Sequence, residues 1–203
     1  MEIQLIDEMI ESLKLNELIE LESIPNIDLY MDQVITLFEE KLAHTKRNEN
    51  DKLLTKTMIN NYAKDKLLMP AKKKKYTKEH IILMILLYEM KQILTIADIK
   101  EIFGTIIKDG EVDSKKLNKI YKIYLKMKII GLDAFENQVN TIHSDLKEEI
   151  RILSQEEGKI EDEITQDMLM AILLTQKANY YKRLAEKIID EKISIINKGN
   201  SKK

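Results

Sequence analysis

Between Leu53 and Tyr76 the chain reads LLTKTMINNYAKDKLLMPAKKKKY, a stretch that can bury one of its sides but not both. Taking about 100° per residue from Lys56, the side chains of Lys56, Thr57, Asn60, Asn61 and Lys64 fall within one arc of roughly 140°, and Met58, Ile59, Tyr62 and Ala63 fill the rest. The spacing predicts a short helix over residues 55–65 with one side against a core and the other open. Thr55 is its expected N-cap, with Leu54 and Ile59 at the staple positions on either side. Pro70 forbids the helix from running on, and Lys72, Lys73, Lys74 and Lys75 follow at once.

The rest of the composition is that of a helical protein. A chain of 203 residues with 44% hydrophobic side chains can enclose one sizeable core or two small ones. Five glycines and two prolines, set among abundant Leu, Ile, Lys and Glu, favour an all-α fold. The absence of cysteine excludes disulfides, thiolate metal ligands and cysteine nucleophiles. The start, Met1-Glu2-Ile3, lacks the basic region of a secretory signal, and the longest apolar run, Ile81 to Tyr88, is too short to span a bilayer. A cytoplasmic protein with no membrane partner is expected.

The net charge of −2 conceals a division along the chain. Residues 1–50 hold 4 basic and 12 acidic side chains, residues 51–130 hold 18 and 9, and residues 131–203 hold 11 and 14. A basic middle of this kind is the electrostatic footprint of a phosphate-binding surface. It is equally what a solvated face paired with the acidic head would look like.

Periodicity divides the chain into helices with short connections. An acidic amphipathic helix is predicted over residues 2–22, with Ile6, Met9, Ile10, Leu13 and Leu21 at helical spacing and Pro25 as its breaker. Asn26 or Asp28 then caps a second helix through Leu42, with Leu29, Val34, Leu37 and Phe38 inward. Thr77 caps an apolar helix to about Leu94, and Thr95 with Asp98 forms a capping box for a short helix to Phe103. Asp109-Gly110 reads as a turn, and Leu117 to Ile130 as a helix stopped by Gly131. Phe135, Val139, Ile142, Leu146, Ile150 and Leu153 form one stripe of the next, which breaks at Glu156-Glu157-Gly158. In the last helix, about 165–197, Ala171, Ala178, Ala185 and Lys192 alternate every seven residues with Leu174, Tyr181, Ile188 and Ile195. That seam admits a close partner helix from the same chain or a second copy. Three regions follow: an acidic N-terminal helix (1–24), a central part (25–108) and a C-terminal helical region (109–203).

Little else carries chemistry. His44, His80 and His143 lack metal-ligand spacing. The run Asp109-Gly110-Glu111-Val112-Asp113 looks like half a calcium loop, but Lys116 occupies the position that needs a bidentate Glu. No glycine-rich phosphate loop, nucleophile elbow or His-Glu-x-x-His is present. The acids Glu161-Asp162-Glu163 are placed to favour a helix N-terminus. Neither an enzyme nor a cofactor is expected. The Lys, Asn and Thr of the 55–65 helix, with no acid among them, fit a polyanion whose base edges accept hydrogen bonds, which is duplex DNA.

The order of residues adds a resemblance. The runs TMINNYAKDKLLMP, KKKYTKEHIILMILL and LTIADIKEIF resemble the winged helix-turn-helix of MerR-type regulators. There a tyrosine-bearing recognition helix leads through Leu-Leu-x-Pro into a basic wing, a Tyr-Ser/Thr helix start and a final short helix. On this resemblance Tyr62 takes the place of the recognition-helix tyrosine, Leu67, Leu68 and Pro70 lead into the wing, Lys74 lies near the wing arginine, and Tyr76-Thr77 starts the next helix. Three departures stand out: Asn60 replaces the arginine two residues before the tyrosine, the wing arginines are lysines, and the link from Thr45 to Asp51 is longer than a standard tight turn. With IPNIDLYMDQV upstream, most of residues 20–195 is also similar to the uncharacterised bacterial family catalogued as domain of unknown function 1836. That likeness implies a helix-turn-helix and no established role.

The resulting expectation is an all-α, MerR-like winged helix-turn-helix with additional N- and C-terminal helices, acting as a DNA-binding transcriptional regulator. Its DNA contacts would be Thr55, Lys56, Thr57, Asn60, Asn61, Tyr62 and Lys64 of the recognition helix and Lys72, Lys73, Lys74 and Lys75 of the wing. Each lysine–phosphate contact adds about 0.9 to the salt slope. Asn60 and Asn61 suit adenine and the Thr57 methyl suits thymine, so the operator should lean to A·T. The resemblance further implies a homodimer through the C-terminal helix; an effector is not specified. The alternative is a non-enzymatic helical interaction module that docks a protein through the acidic first helix or the apolar seam.

Overall fold

The computed structural model describes residues 3–157 and 163–200 and is mainly helical. It divides into two compact units, a larger one of Leu18–Leu125 with Leu184–Lys203 and a smaller one of Met1–Glu17 with Lys126–Arg183.

The larger unit is organised around α4 (Lys78–Met90), whose sequence KEHIILMILLYEM is apolar on every side. A helix of that kind has no face to give to solvent, and Ile81, Ile82, Leu83, Met84, Ile85 and Leu87 are all buried. Around it pack α2 (Met31–Leu42) through Val34 and Phe38, α3 (Lys56–Lys64) through Ile59, and α5 (Ile96–Phe103) through Ile99 and Phe103. The first turns of α6 (Ser114–Glu157) add Leu117 and Tyr121 to the same core. The hydroxyl of Tyr121 donates to the Ile19 carbonyl at 2.7 Å, so this buried polar group is satisfied. Ahead of α2, β1 (Leu29–Tyr30) pairs antiparallel with β2 (Lys75–Tyr76), Leu29 facing Tyr76 and Tyr30 facing Lys75. A separate hairpin, β3 (Ile107–Lys108) and β4 (Glu111–Val112), turns at Asp109-Gly110, both at positive φ.

Local signals set most helix starts in this unit. Thr55 Oγ1 accepts from the Met58 N–H at 3.1 Å, and the staple residues Leu54 and Ile59 are buried. Thr95 and Asp98 form the reciprocal capping box. Thr77 precedes α4, and His80 serves where a Glu or Gln usually stands, its Nδ1 accepting from the Thr77 N–H at 3.1 Å. The end of α3 uses a Schellman pattern: Leu67 N–H donates to the Tyr62 carbonyl, Lys66 N–H to that of Ala63, and Lys66 itself takes φ 61°. At the C-terminal end, Asn197 of α8 (Ser194–Asn200) donates to the Glu101 carbonyl at 2.9 Å. Gly104 makes room for it, since a Cβ there would lie 3.2 Å from Asn197 Nδ2.

Several predicted boundaries move. The first helix, α1, spans Ile3–Ser12 rather than 2–22, because Lys14 turns left-handed at φ 51° and Ser12 Oγ donates to the Met9 carbonyl. Of its expected apolar face Ile6 and Ile10 are buried, whereas Met9 and Leu13 are exposed. The second helix begins at Met31, not near Asp28, because Leu29 and Tyr30 are taken into the strand pair, and Gln33 accepts from the Tyr30 N–H at 2.8 Å. The α4 helix ends at Met90. Gly131 does not stop a helix: α6 runs through it to Glu157, the roughly 1 kcal/mol propensity cost of one glycine being small beside the turns on either side.

The smaller unit has a modest core. Ile6 and Ile10 of α1, Val139 of α6 and Met170 of α7 (Glu163–Ile188) are buried together, with Phe135, Ile142, Leu146 and Leu174 packed against them. Ile150 is buried, and Leu153 is exposed. Glu161 and Asp162 of the expected acidic helix start lie outside the described residues; Glu163 opens α7. After Ile188 a π-helical turn, Ile189–Ile193, inserts before α8. The extra residue per turn shifts the register, so the seven-residue rhythm does not carry from Ile188 to Ile195. Within the seam Leu174 belongs to the smaller unit's core and Ala185 is half-buried, while Ala171, Ala178, Tyr181, Ile188 and Ile195 are exposed. No helix of the described residues is long and apolar enough to cross a membrane.

Candidate nucleic-acid interface

The two faces of α3 fall as the periodicity requires at all but one position. Ile59 and Tyr62 are buried and Met58 is half-buried, whereas Lys56, Thr57, Asn60, Asn61 and Lys64 are all exposed. Ala63, expected inward, is exposed instead. Two residues of the expected contact set are engaged in the fold. Thr55 spends its hydroxyl on the N-cap, and Tyr62 lies in the core, where burial pushes its phenol pKa up.

The lysine run is a tight turn. Lys75 N–H donates to the Lys72 carbonyl at 3.0 Å, Lys72 and Lys75 bridge antiparallel, and Lys73 and Lys74 form the tip at φ 52° and 61°. The four ammonium groups are not equivalent. Lys72 lies 3.5 Å from Glu111, both well exposed, and Lys75 sits 5.1 Å from the ring centroid of Tyr30 in a cation–π contact. Lys73 and Lys74 are exposed, and among the described residues neither has an ion pair or hydrogen bond.

The first turn of α2 ties these pieces together. Its N-cap, Tyr30, takes Lys75 from the lysine turn, and Asp32, two residues on, pairs with Lys56 of α3 at 2.7 Å. The exposed arc of α3 and the lysine turn therefore meet the same end of one helix. Asp32 sets a negative charge at that junction and partly neutralises Lys56. Neither Tyr30, Asp32 nor Glu111 carries a sequence signal for this role, because each acts through a partner 24 or more positions away.

Behind the turn lies a cleft of about 300 Å³ lined by Pro70, Lys72, Glu79, His80, Glu111 and Ser114, among others. His80 is only 3% exposed, and burial holds its pKa below the ordinary 6.5 against the opposing pull of its bond to Met69. For Glu79, burial works to raise the pKa, but hydrogen bonds from Thr77 and Ser114 and its own backbone bring it below the usual carboxylate value. Among the described residues no group of three or more His, Asp or Glu side chains is placed to hold a metal ion.

A mainly helical protein with an exposed polar arc and a lysine-tipped turn is the class these features define. Residues 19–124 match the family described as Domain of unknown function (DUF1836), and the chain belongs to that family. No curated protein and no solved structure matches it.

Proposed function

We propose that the protein binds duplex DNA as a transcriptional regulator, through a MerR-like winged helix-turn-helix in which α3 is the recognition helix and the turn at Lys72 to Lys75 is the wing tip. The single observation that carries this reading is the convergence at the first turn of α2: Lys56 from one element and Lys75 from the other meet it within two residues. That convergence gives an outward arc of Lys, Asn and Thr a cationic neighbour, the pairing of base-edge readers with phosphate contacts that DNA recognition uses. Asn60 and Asn61 read adenine and the Thr57 methyl reads thymine, so the preferred sites lean to A·T. The exposed apolar side of α7, with Met168, Ile172 and Tyr181 open, supports a homodimer.

Fluorescence anisotropy with a mixed-sequence duplex at several salt concentrations tests the reading. Binding should weaken with a log–log slope of at least about 1.8, the release expected for two phosphate contacts at Lys73 and Lys74. Selection from random duplexes should then enrich A·T sites. Weak binding that ignores salt would instead favour a protein-docking module.

A further inference from the structure

The four lysines lie on an excursion of chain that leaves the core at Met69 and rejoins it at Thr77, and one side chain holds both ends. His80 Nδ1 is 3.1 Å from the Thr77 nitrogen, and His80 Nε2 is 3.1 Å from the Met69 carbonyl oxygen. A backbone N–H can only donate, so Nδ1 must accept, and the single ring proton sits on Nε2 and is donated to Met69. The tautomer is therefore fixed by the geometry. The edge of the ring packs against Tyr76 of β2, centroids 5.5 Å apart and planes at 88°.

The surroundings supply a second arrangement. Thr77 Oγ1 lies 3.0 Å from Nδ1 and donates to Glu79 Oε2 at 2.6 Å. A proton added to Nδ1 can be donated to Thr77 Oγ1, which still has lone pairs, while the hydroxyl proton stays on Glu79. The Thr77 N–H then loses its acceptor, and α4 loses the bond that ties its start to the excursion. The charged groups around the ring come from every neighbouring element: Glu79 on α4, Asp28 ahead of β1, Lys72 on the turn, and Asp109 and Glu111 of the second hairpin across the cleft. The cleft gives the ring a route to solvent protons.

We propose that neutral His80 is the positioning residue that latches the lysine turn, and that its protonation unlatches the turn and weakens DNA binding. The DNA half of this statement rests on the function proposed above; the latch does not. Its sign is distinctive. Acidification makes any protein more positive and ordinarily strengthens its hold on DNA, whereas release of the turn weakens it.

The test uses the full chain at constant ionic strength, taken from about pH 7.5 to about pH 5, the acid end of the histidine range, because burial holds the His80 pKa down. Three readouts are followed: duplex affinity by anisotropy, the His80 ring nitrogens by NMR, and the protection of the Lys75 amide against hydrogen exchange, taken relative to the intrinsic rate at each pH. In the native chain, affinity should fall by about threefold or more, with the protection of the Lys75 amide falling along the same titration. His80→Gln, which offers an acceptor and a donor but does not titrate, should bind within about twofold of native at the upper pH and show no fall. The same fall in His80→Gln, or a proton found on Nδ1 rather than Nε2 at neutral pH, overturns the latch. If no DNA binds at any pH but Lys75 exchange still follows the ring, the latch holds and the DNA reading fails. DNA binding with Lys75 protection and affinity both indifferent to pH has the opposite meaning.

Discussion

The larger unit contains two turns of the same form made from opposite materials. Between β3 and β4, Asp109 and Gly110 occupy the two central positions at φ 52° and 75°, and Asp-Gly is among the favoured pairs for a turn that needs both residues left-handed. Between Lys72 and Lys75, the same positions are filled by Lys73 and Lys74 at φ 52° and 61°. A side chain with a Cβ pays about 1–2 kcal/mol per residue to stand there. The first turn is thus what folding alone would choose, and the second is not. Strain of this kind persists where surroundings over-determine it, and it gathers at functional sites. Its location here, on two exposed ammonium groups that have no ion pair among the described residues, supports the view that Lys73 and Lys74 are placed for their charge.

Exchanging the materials should therefore move stability and binding in opposite directions. Lys73→Asn together with Lys74→Gly should raise the unfolding free energy by about 1 kcal/mol in denaturant melts. It should also lower the salt slope of DNA binding by about 1.8, which amounts to roughly a tenfold difference over a fourfold change in salt. A variant that gains stability and binds DNA with an unchanged slope would show that the tip lysines do not meet phosphates. The turn between β3 and β4 gives the control. Gly110→Ala, which leaves open space around the new Cβ apart from Pro70 at 3.7 Å, should cost about 1 kcal/mol through backbone conformation alone and leave the slope untouched. A silent Gly110→Ala would remove the strain argument from both turns.

The sequence was legible where a structural decision is made within three or four residues. Thr55 with Met58, Thr95 with Asp98, and Asp109 with Gly110 each settle a helix start or a turn by local hydrogen bonding or backbone preference, and each was found where expected. The inward and outward sides of α3 follow from periodicity for the same reason, because Ile59 and Tyr62, with Met58 beside them, reach the core from one side of the helix. Decisions made at a distance were hidden. Leu29 and Tyr30 read as the first turn of the second helix but form a strand, since the partner that pairs with them arrives some 45 residues later. Gly131 read as a stop because propensity is local, and the turns on either side overruled it. The π-helical turn at Ile189–Ile193 carried no composition signal, so the seam was drawn across a register shift. For the candidate site, residue type identified the lysines as a group, but only coordinates divide them into two that are engaged by Glu111 and Tyr30 and two that are not.

That division yields the smallest effect and the finest test of the comparison. The Lys72–Glu111 pair joins the two turns, yet its side chains are 78% and 75% exposed and its atoms are 3.5 Å apart. An ion pair so open to water contributes between about 0 and 1 kcal/mol, and often nothing measurable. Glu111→Gln should therefore leave thermal stability within about 0.5 kcal/mol of native. Its effect on binding should be of the other kind. Removing the carboxylate frees Lys72 for a phosphate, so the salt slope should rise by as much as about 0.9. If the slope instead falls, Glu111 is holding the lysine turn in its binding position, and the two turns act as one unit toward DNA. A slope that stays fixed places Lys72 out of reach of the duplex and confines the contact to the strained pair at the tip.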